Sequence, residues 1–150
     1  MYKKILVPLD GSALSEAVLD HVVAIATSCQ VPEVVIIRIT RPLDGSTWEP
    51  IDTKVASNLD KALRIKANTY LEKIAADLKT KGVKVKVEVL AGDPAEEITK
   101  YSKREGIDLI VMSTHGRSGF SRWVFGSVAD RVVRHTEVPV LIKPAGHRPA

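Results

Sequence analysis

The sequence lacks the features that define several common protein classes. Cys29 is the only cysteine, so no internal disulfide can form, which is typical of a reducing cytoplasm. No apolar run approaches the roughly 20 residues that span a bilayer. In the opening MYKKILVPLDGS, the acidic Asp10 comes too early for a signal peptide. We therefore expect a cytoplasmic protein without a membrane anchor.

Features of nucleic-acid-binding and metal-binding proteins are also scarce. The net charge is +4, but lysine and arginine are dispersed among acidic residues, with no basic run and only 5% aromatic residues. The four histidines have no cysteine or carboxylate at metal-ligand spacing. We expect neither nucleic-acid binding nor a metal site built from protein ligands alone.

Several nucleotide-binding and catalytic motifs are missing. The absence of G-x-x-x-x-G-K-[ST] excludes a Walker P-loop, and the absence of G-x-G-x-x-G after the first strand argues against an ordinary dinucleotide fold. The SGG-x-DS signature of pyrophosphatase-type ATP enzymes is absent, and without G-x-S-x-G there is no α/β-hydrolase elbow.

Apolar strands and amphipathic helices alternate along the chain. Five strands are predicted, at residues 3–9, 34–39, 83–89, 108–112 and 138–143. Helices are predicted at residues 12–28 and 52–80, and two more begin near Pro94 and Ser127. This alternation is typical of an α/β three-layer sandwich with a parallel sheet. We expect one domain, residues 1–144, followed by a frayed tail at residues 145–150.

The chemistry of the strands predicts their order in the sheet. Strands one, two and four are nearly all apolar, as buried strands are, whereas strand three alternates valine with charged residues. Strand five contains Pro139, which cannot donate to a ladder and favours an edge. The order 3-2-1-4-5 satisfies these constraints and reverses direction between strands one and four, where ligands bind. The carboxyl ends at this point carry Pro8, Asp10 and Ser113.

A glycine-rich loop follows the fourth strand and precedes the last helix. It contains Gly116, Gly119 and Gly126. Ser127 is expected to cap the helix, and Asp130, three residues later, would complete a capping-box-like pair. The apolar stripe of this helix is predicted to consist of Val128, Val132 and Val133. Strand, glycine loop and helix N-terminus together suit a phosphate. The alternative is that the glycines form only a tight turn.

Polar side chains near this loop are candidate ligand contacts. Asp10 could bind a phosphate-held metal or a ribose hydroxyl, or it could cap the first helix. Ser113 and Thr114 can add hydroxyl donors, and Arg117 and Arg122 can neutralise phosphate charge or remain solvated.

Two residues of the second strand complete the candidate site. Ile39 could present its backbone N–H and C=O to a base edge, and Arg38 could reach the mouth of the crevice. The loop aromatics Phe120, Trp123 and Phe125 are expected to anchor the loop or a second subunit rather than to stack on a base.

The chain resembles the universal stress proteins of the ATP-binding type over nearly its whole length. The similarity rests on KKILVPLDGS, GDPAEEI and HGRSGFSRWVFGSVADRVVRHTEVPVLIKP. The family motif G-x2-G-x9-G-[ST] matches at Gly116, Gly126 and Ser127, but Ser113 replaces its first glycine.

The resemblance implies an adenine-nucleotide site and a dimer. Asp10 would lie near ribose or a metal–phosphate group, Ile39 would meet adenine, and the loop would hold the phosphates of ATP, with or without Mg²⁺. The family commonly dimerises by pairing fifth strands, here Val138 to Lys143. An apolar strand at a sheet edge also favours pairing.

Three functions follow from these observations. The first is an ATP-binding, dimeric regulator of the stress response. The second is a slow ATPase or phosphotransferase, against which stands the lack of a general base near the loop other than Asp10. The third is a nucleotide-free interaction module whose site has decayed at Ser113.

Overall fold

The computed structural model describes residues 1–42, 52–114 and 126–144. The strands are β1 Lys4–Pro8, β2 Glu33–Thr40, β3 Val85–Ala91, β4 Leu109–Thr114 and β5 Val140–Pro144. The helices are α1 Ala13–Glu16, α2 Leu19–Ser28, α3 Thr53–Thr80, α4 Pro94–Arg104 and α5 Ser127–His135.

The five strands form one all-parallel sheet in the order β3-β2-β1-β4-β5. This confirms the predicted α/β fold and strand order. β1 pairs with β2 as far as Pro8 opposite Ile37, and with β4 through Ile5 and Leu6. The carboxyl ends of β1 and β4 therefore lie side by side at the point where the winding reverses.

The sheet separates two apolar layers. Ile5, Val7 and Ile36 point to one side and pack with α2 and α3, and Leu71 and Leu78 of α3 are fully buried there. Leu6, Val35, Ile37 and Ile110 point to the other side and pack with α4 and α5. Successive residues of a strand face opposite sides, so strands buried on both faces require continuous apolar runs.

The predicted helix at residues 12–28 is wrong as a single element, because it is divided into α1 and α2. α1 is one turn that closes with a bond from the Ala17 N–H to the Leu14 carbonyl. The Lys143 Nζ donates to the Ala17 carbonyl oxygen at 2.7 Å. This strand-to-helix bond satisfies a carbonyl at the interruption.

Helix α3 ends as predicted at Gly82. The Gly82 N–H bonds the Lys79 carbonyl and the Val83 N–H bonds the Leu78 carbonyl, with Gly82 at φ +82°. This is the Schellman arrangement, in which glycine adopts the left-handed conformation. It places Val83 in the helix cap, so β3 begins later than predicted, at Val85.

Apolar residues recur at helical spacing along the whole of α3, from Val55 to Leu78, but they are buried only in the second half of the helix. Val55 and Leu59 are 56% and 46% exposed, whereas Ala67 and Leu71 are buried. A helix of 28 residues is about 42 Å long, roughly twice the length of these strands. Its first half therefore has no strand to pack against.

The predicted start of α5 also needs correction. Gly126, not Ser127, is the N-cap, and no side chain of a described residue caps the helix. Asp130 pairs instead with Arg134 at 2.8 Å. Val133 is 43% exposed, because it lies about 100° around the helix from the buried Val132. Within the described ranges, no helix is long and apolar enough to cross a membrane.

Candidate functional site

A cavity of about 390 Å³ lies at the carboxyl ends of the central strands, where the winding reverses. Its volume falls in the range typical of small-molecule sites. Six of the eight predicted site residues line it: Pro8, Asp10, Ile39, Ser113, Gly126 and Ser127. The other two, Gly116 and Arg117, lie outside the described residues, as do Gly119, Phe120, Arg122, Trp123 and Phe125.

A tight turn follows β1 and places Asp10 at the cavity. The Ser12 N–H donates to Asp10 Oδ1 at 2.8 Å, and the Asp10 N–H donates to Ser15 Oγ at 3.3 Å. Ser12 itself is the N-cap of α1, accepting the Ser15 N–H at 3.1 Å. Asp10 thus closes the turn, while the capping role considered for it belongs to Ser12.

The backbone of Ile39 is directed toward the cavity side of β2. The Leu9 N–H bonds the Ile37 carbonyl at 2.8 Å, whereas Thr40 accepts a bond from the β3 side at 2.9 Å. Backbone groups alternate direction along a parallel strand, so Ile39 points its N–H and C=O to the same side as Ile37. Because β1 ends at Pro8, these groups face the space beyond it.

The first turn of α5 supplies N–H groups to the cavity. Gly126, Ser127, Val128 and Ala129 all line it, and Gly126 provides no side-chain acceptor. The first N–H groups of a helix have no partner within the helix and carry partial positive charge. This end of the cavity is therefore suited to an anion.

Ser113 lies where the glycine motif departs from its pattern. Its Oγ is buried, and no hydrogen-bond partner for it exists among the described residues. The side chain lines the cavity together with the buried Thr114. A buried hydroxyl without a partner costs free energy unless a ligand or water supplies one. Ser113 therefore fits a polar ligand better than it fits an empty cavity.

Arg38 does not line the cavity. It lies on the opposite face of the sheet, with its guanidinium carbon 5.3 Å from the centre of the Tyr70 ring. The strand alternation explains this placement, because Ile37 and Ile39 line the cavity and the residue between them must point away.

Some cavity residues were not predicted from the sequence. Arg41 lies two positions after Ile39, and Pro94 and Ile98 come from α4. The alternation of β2 could have identified Arg41. The α4 residues required knowledge of how that helix packs over β2.

A protein-built metal centre is absent from the parts of the chain that the structure describes, where no three His, Cys, Asp or Glu side chains cluster. Asp10 is the single carboxylate among the described residues that line the cavity. A divalent cation here would therefore need phosphate oxygens as additional ligands.

Comparison with known proteins identifies close relatives. The model of the universal stress protein family matches residues 1–144. Universal stress protein MJ0531 of Methanocaldococcus jannaschii is 34% identical over 148 residues, covering 95% of this chain and 82% of the relative. Universal stress protein MJ0577 of the same organism is 32% identical over 154 residues, covering 95% and 94%.

Solved structures share the architecture. The structure of MJ0577 aligns with a TM-score of 0.82 at 32% identity, covering 98% of this chain and 99% of that one. An Arabidopsis thaliana family member with AMP bound has a TM-score of 0.70 at 18% identity, covering 96% and 92%. A universal stress protein in complex with cAMP has a TM-score of 0.65 at 21% identity, covering 97% and 98%. The last two likenesses establish the fold alone.

Proposed function

Because the chain belongs to the universal stress protein family, we propose that it is an ATP-binding regulator of the stress response that acts as a homodimer. The observation that carries the proposal is the cavity between the ends of β1 and β4. The backbone of Ile39, the first turn of α5 and the Ser113 hydroxyl converge there. Among the described residues, no side chain caps that turn and none bonds that hydroxyl.

The chemistry of the cavity changes from one end to the other in the way that a nucleotide requires. Ile39 offers backbone groups and an apolar side chain to adenine, and Pro8 and Asp10 adjoin the ribose. Gly126 and Ser127 donate N–H groups to the phosphates, joined by the Ser113 hydroxyl. Gly116, assigned from the motif, and Arg117, assigned from its positive charge in the same loop, complete the phosphate contacts.

Related folds support the choice of an adenine nucleotide. Two solved structures with this fold contain AMP and cAMP, respectively. Both ligands carry adenine and phosphate, the two groups for which the cavity offers partners. Mg²⁺ would be held by phosphate oxygens together with the Asp10 carboxylate.

The homodimer is proposed to form through β5 and the residues before it, Val138 to Lys143. Among the described strands, β5 is at the edge of the sheet and pairs with β4 alone. Val140, Leu141 and Ile142 are each only partly buried. Pairing with a second β5 would satisfy the free edge and cover this apolar surface.

Titration calorimetry with ATP and Mg²⁺ tests the nucleotide proposal. We expect micromolar binding by the wild-type protein and none by Gly126→Val, whose side chain would occupy the phosphate position. A folded wild-type protein that binds no ATP would overturn the proposal and favour a nucleotide-free interaction module.

The same sample distinguishes a regulator from a slow ATPase. Asp10 is exposed and lines the cavity, so it is the candidate base for hydrolysis. We expect ATP to bind and dissociate many times without being hydrolysed. Phosphate release that Asp10→Ala abolishes would identify an enzyme instead.

A further inference from the structure

A polar cluster lies behind the turn that carries Asp10, on the face of the sheet opposite the cavity. The Tyr70 hydroxyl of α3 donates to Glu16 Oε1 of α1 at 2.8 Å. The Arg38 guanidinium of β2 stacks over the Tyr70 ring, 5.3 Å from its centre. Three separate elements therefore meet at this point, and all three side chains are half-buried.

The turn itself packs directly on this cluster. Gly11 has φ +88°, a conformation that favours glycine, and a Cβ placed on it would lie 3.1 Å from Arg38 Nη1. The guanidinium thus rests against the bare Cα of Gly11. In addition, the Ser15 hydroxyl accepts the Asp10 N–H, and Ser15 is the neighbour of Glu16 in α1.

The cluster keeps its hydrogen bond at neutral pH. Burial, and then the bond to Glu16, raises the pKa of the Tyr70 phenol well above its ordinary value, although Ser15 and Arg38 oppose the shift. The phenol therefore remains protonated and able to donate. In the described ranges no ion pair links Arg38 to a carboxylate, whereas the ring stack and the Gly11 contact both involve its guanidinium group.

We propose that Arg38, Tyr70 and Glu16 are positioning residues that hold the turn of Asp10, Gly11 and Ser12 in its cavity-lining conformation. The inference rests on the proposed nucleotide function and extends it by coupling the nucleotide site to the long helix α3. The front of the turn meets ribose or metal, while its back is set by the stacked guanidinium and the Tyr70–Glu16 bond.

Positioning makes a different prediction from direct electrostatics. A misplaced turn binds ligand only in the fraction of molecules that retain the correct conformation. That fraction is the same for adenosine, AMP and ATP. An arginine that acted through its charge would instead matter more as phosphates are added.

The main variant is Tyr70→Phe, which removes only the hydroxyl. We expect Kd to rise by about fivefold to tenfold for adenosine, AMP and ATP alike, as for the loss of one ordinary intramolecular hydrogen bond. Amide hydrogen exchange of Gly11 and Ser12 should also accelerate before nucleotide is added. Tyr101→Phe is the matched control, because Tyr101 does not line the cavity and its hydroxyl has no hydrogen-bond partner among the described residues.

Conservative variants separate positioning from general loss of stability. Glu16→Gln keeps a carbonyl that can accept the Tyr70 hydroxyl, so it should retain most of the affinity that Glu16→Ala loses. The double variant Tyr70→Phe/Glu16→Ala should bind no worse than either single variant, because both remove one bond. Arg38→Lys should weaken binding, since it keeps the charge without the flat stack.

Each contrary result has a distinct meaning. Wild-type affinity and exchange rates in Tyr70→Phe would overturn the inference, as would wild-type affinity in Arg38→Lys. A loss of affinity that grows from adenosine to ATP would also overturn it. If the wild-type protein binds no nucleotide, the proposed function fails. Exchange at Gly11 and Ser12 then decides the positioning role: acceleration in Tyr70→Phe but not Tyr101→Phe supports it, and unchanged rates overturn it.

Discussion

Replacing Gly126 by aspartate should stabilise the fold and abolish nucleotide binding. Gly126 is the N-cap of α5, with extended backbone angles of φ −56° and ψ 152° that aspartate adopts without strain. A carboxylate at this position can accept the N–H groups of Val128 and Ala129, which now line the cavity. The protein would thus cap its own helix with the group that phosphate is proposed to provide.

The substitution should raise the stability of the fold and lower the affinity for ATP, and the two magnitudes can be estimated separately. A carboxylate N-cap in place of glycine, with its favourable interaction with the helix dipole, contributes about 0.5–1 kcal/mol, or about 1–4 °C in Tm. Loss of two N–H bonds to a phosphate costs about 3 kcal/mol, which weakens ATP binding by at least about a hundredfold. Repulsion between carboxylate and phosphate adds to this loss.

Thermal unfolding measures the change in Tm, and titration calorimetry on the same preparations measures the change in ATP affinity. Asn68→Asp is the control, because it adds one negative charge on an exposed part of α3 that does not line the cavity. A raised Tm with unchanged ATP affinity would show that phosphate does not bind at α5. A lowered Tm would show that the new carboxylate cannot cap the helix.

Three further changes test other parts of the molecule. Ser113→Ala should weaken ATP binding by about threefold to tenfold while leaving the unliganded protein as stable or more stable, because it removes a buried hydroxyl without a partner; tighter binding by calorimetry would instead mean that the hydroxyl crowds the phosphates. Val140→Pro should give a monomer in light scattering, whereas Val140→Ala should remain dimeric. The reason is that the Pro139 carbonyl faces β4, so Val140 points its N–H outward, where proline has none to donate. A dimeric proline variant would exclude pairing through β5. Asp93→Asn should lower Tm at neutral pH, because Arg131 holds the pKa of the Asp93 carboxyl below its ordinary value. The difference in Tm between variant and wild type should disappear as the pH falls through that depressed pKa, and a difference that persists in acid would contradict the charge-based explanation.

The topology was predictable because strand chemistry records how many faces each strand buries. The run VVII in β2 requires cover on both sides, and the alternating valines of β3 require it on one. Pro139 immediately precedes β5, and a position at the start of a strand tolerates its missing N–H. These are properties of single segments, and with the switch-point rule they were sufficient to place the cavity.

The end of the candidate site at the start of α5 was predictable for a similar reason. A buried strand, a glycine loop and a helix N-terminus are consecutive in the sequence, so their meeting needs no knowledge of distant contacts. The error at this end was one residue in the helix cap, where Gly126 takes the position expected for Ser127. The error in placing Arg38 was avoidable, since strand alternation sets it opposite Ile37 and Ile39.

The division of the helix predicted at residues 12–28 involves contacts between residues far apart in the sequence. No local pattern could reveal those contacts. The apolar spacing around α1 favours one continuous helix, yet the ladder is interrupted where Lys143, 126 residues away, takes the Ala17 carbonyl. The next residue back, Glu16, is held by Tyr70, 54 residues away. Each bond forms only after the sheet has assembled and brought β5 and α3 beside this turn. The same two bonds attach α1, and through Ser15 the Asp10 turn, to the strand proposed for dimerisation and to the longest helix. The geometry of the candidate site therefore depends on the completed fold, even though the residues that line the cavity were largely predictable from the sequence.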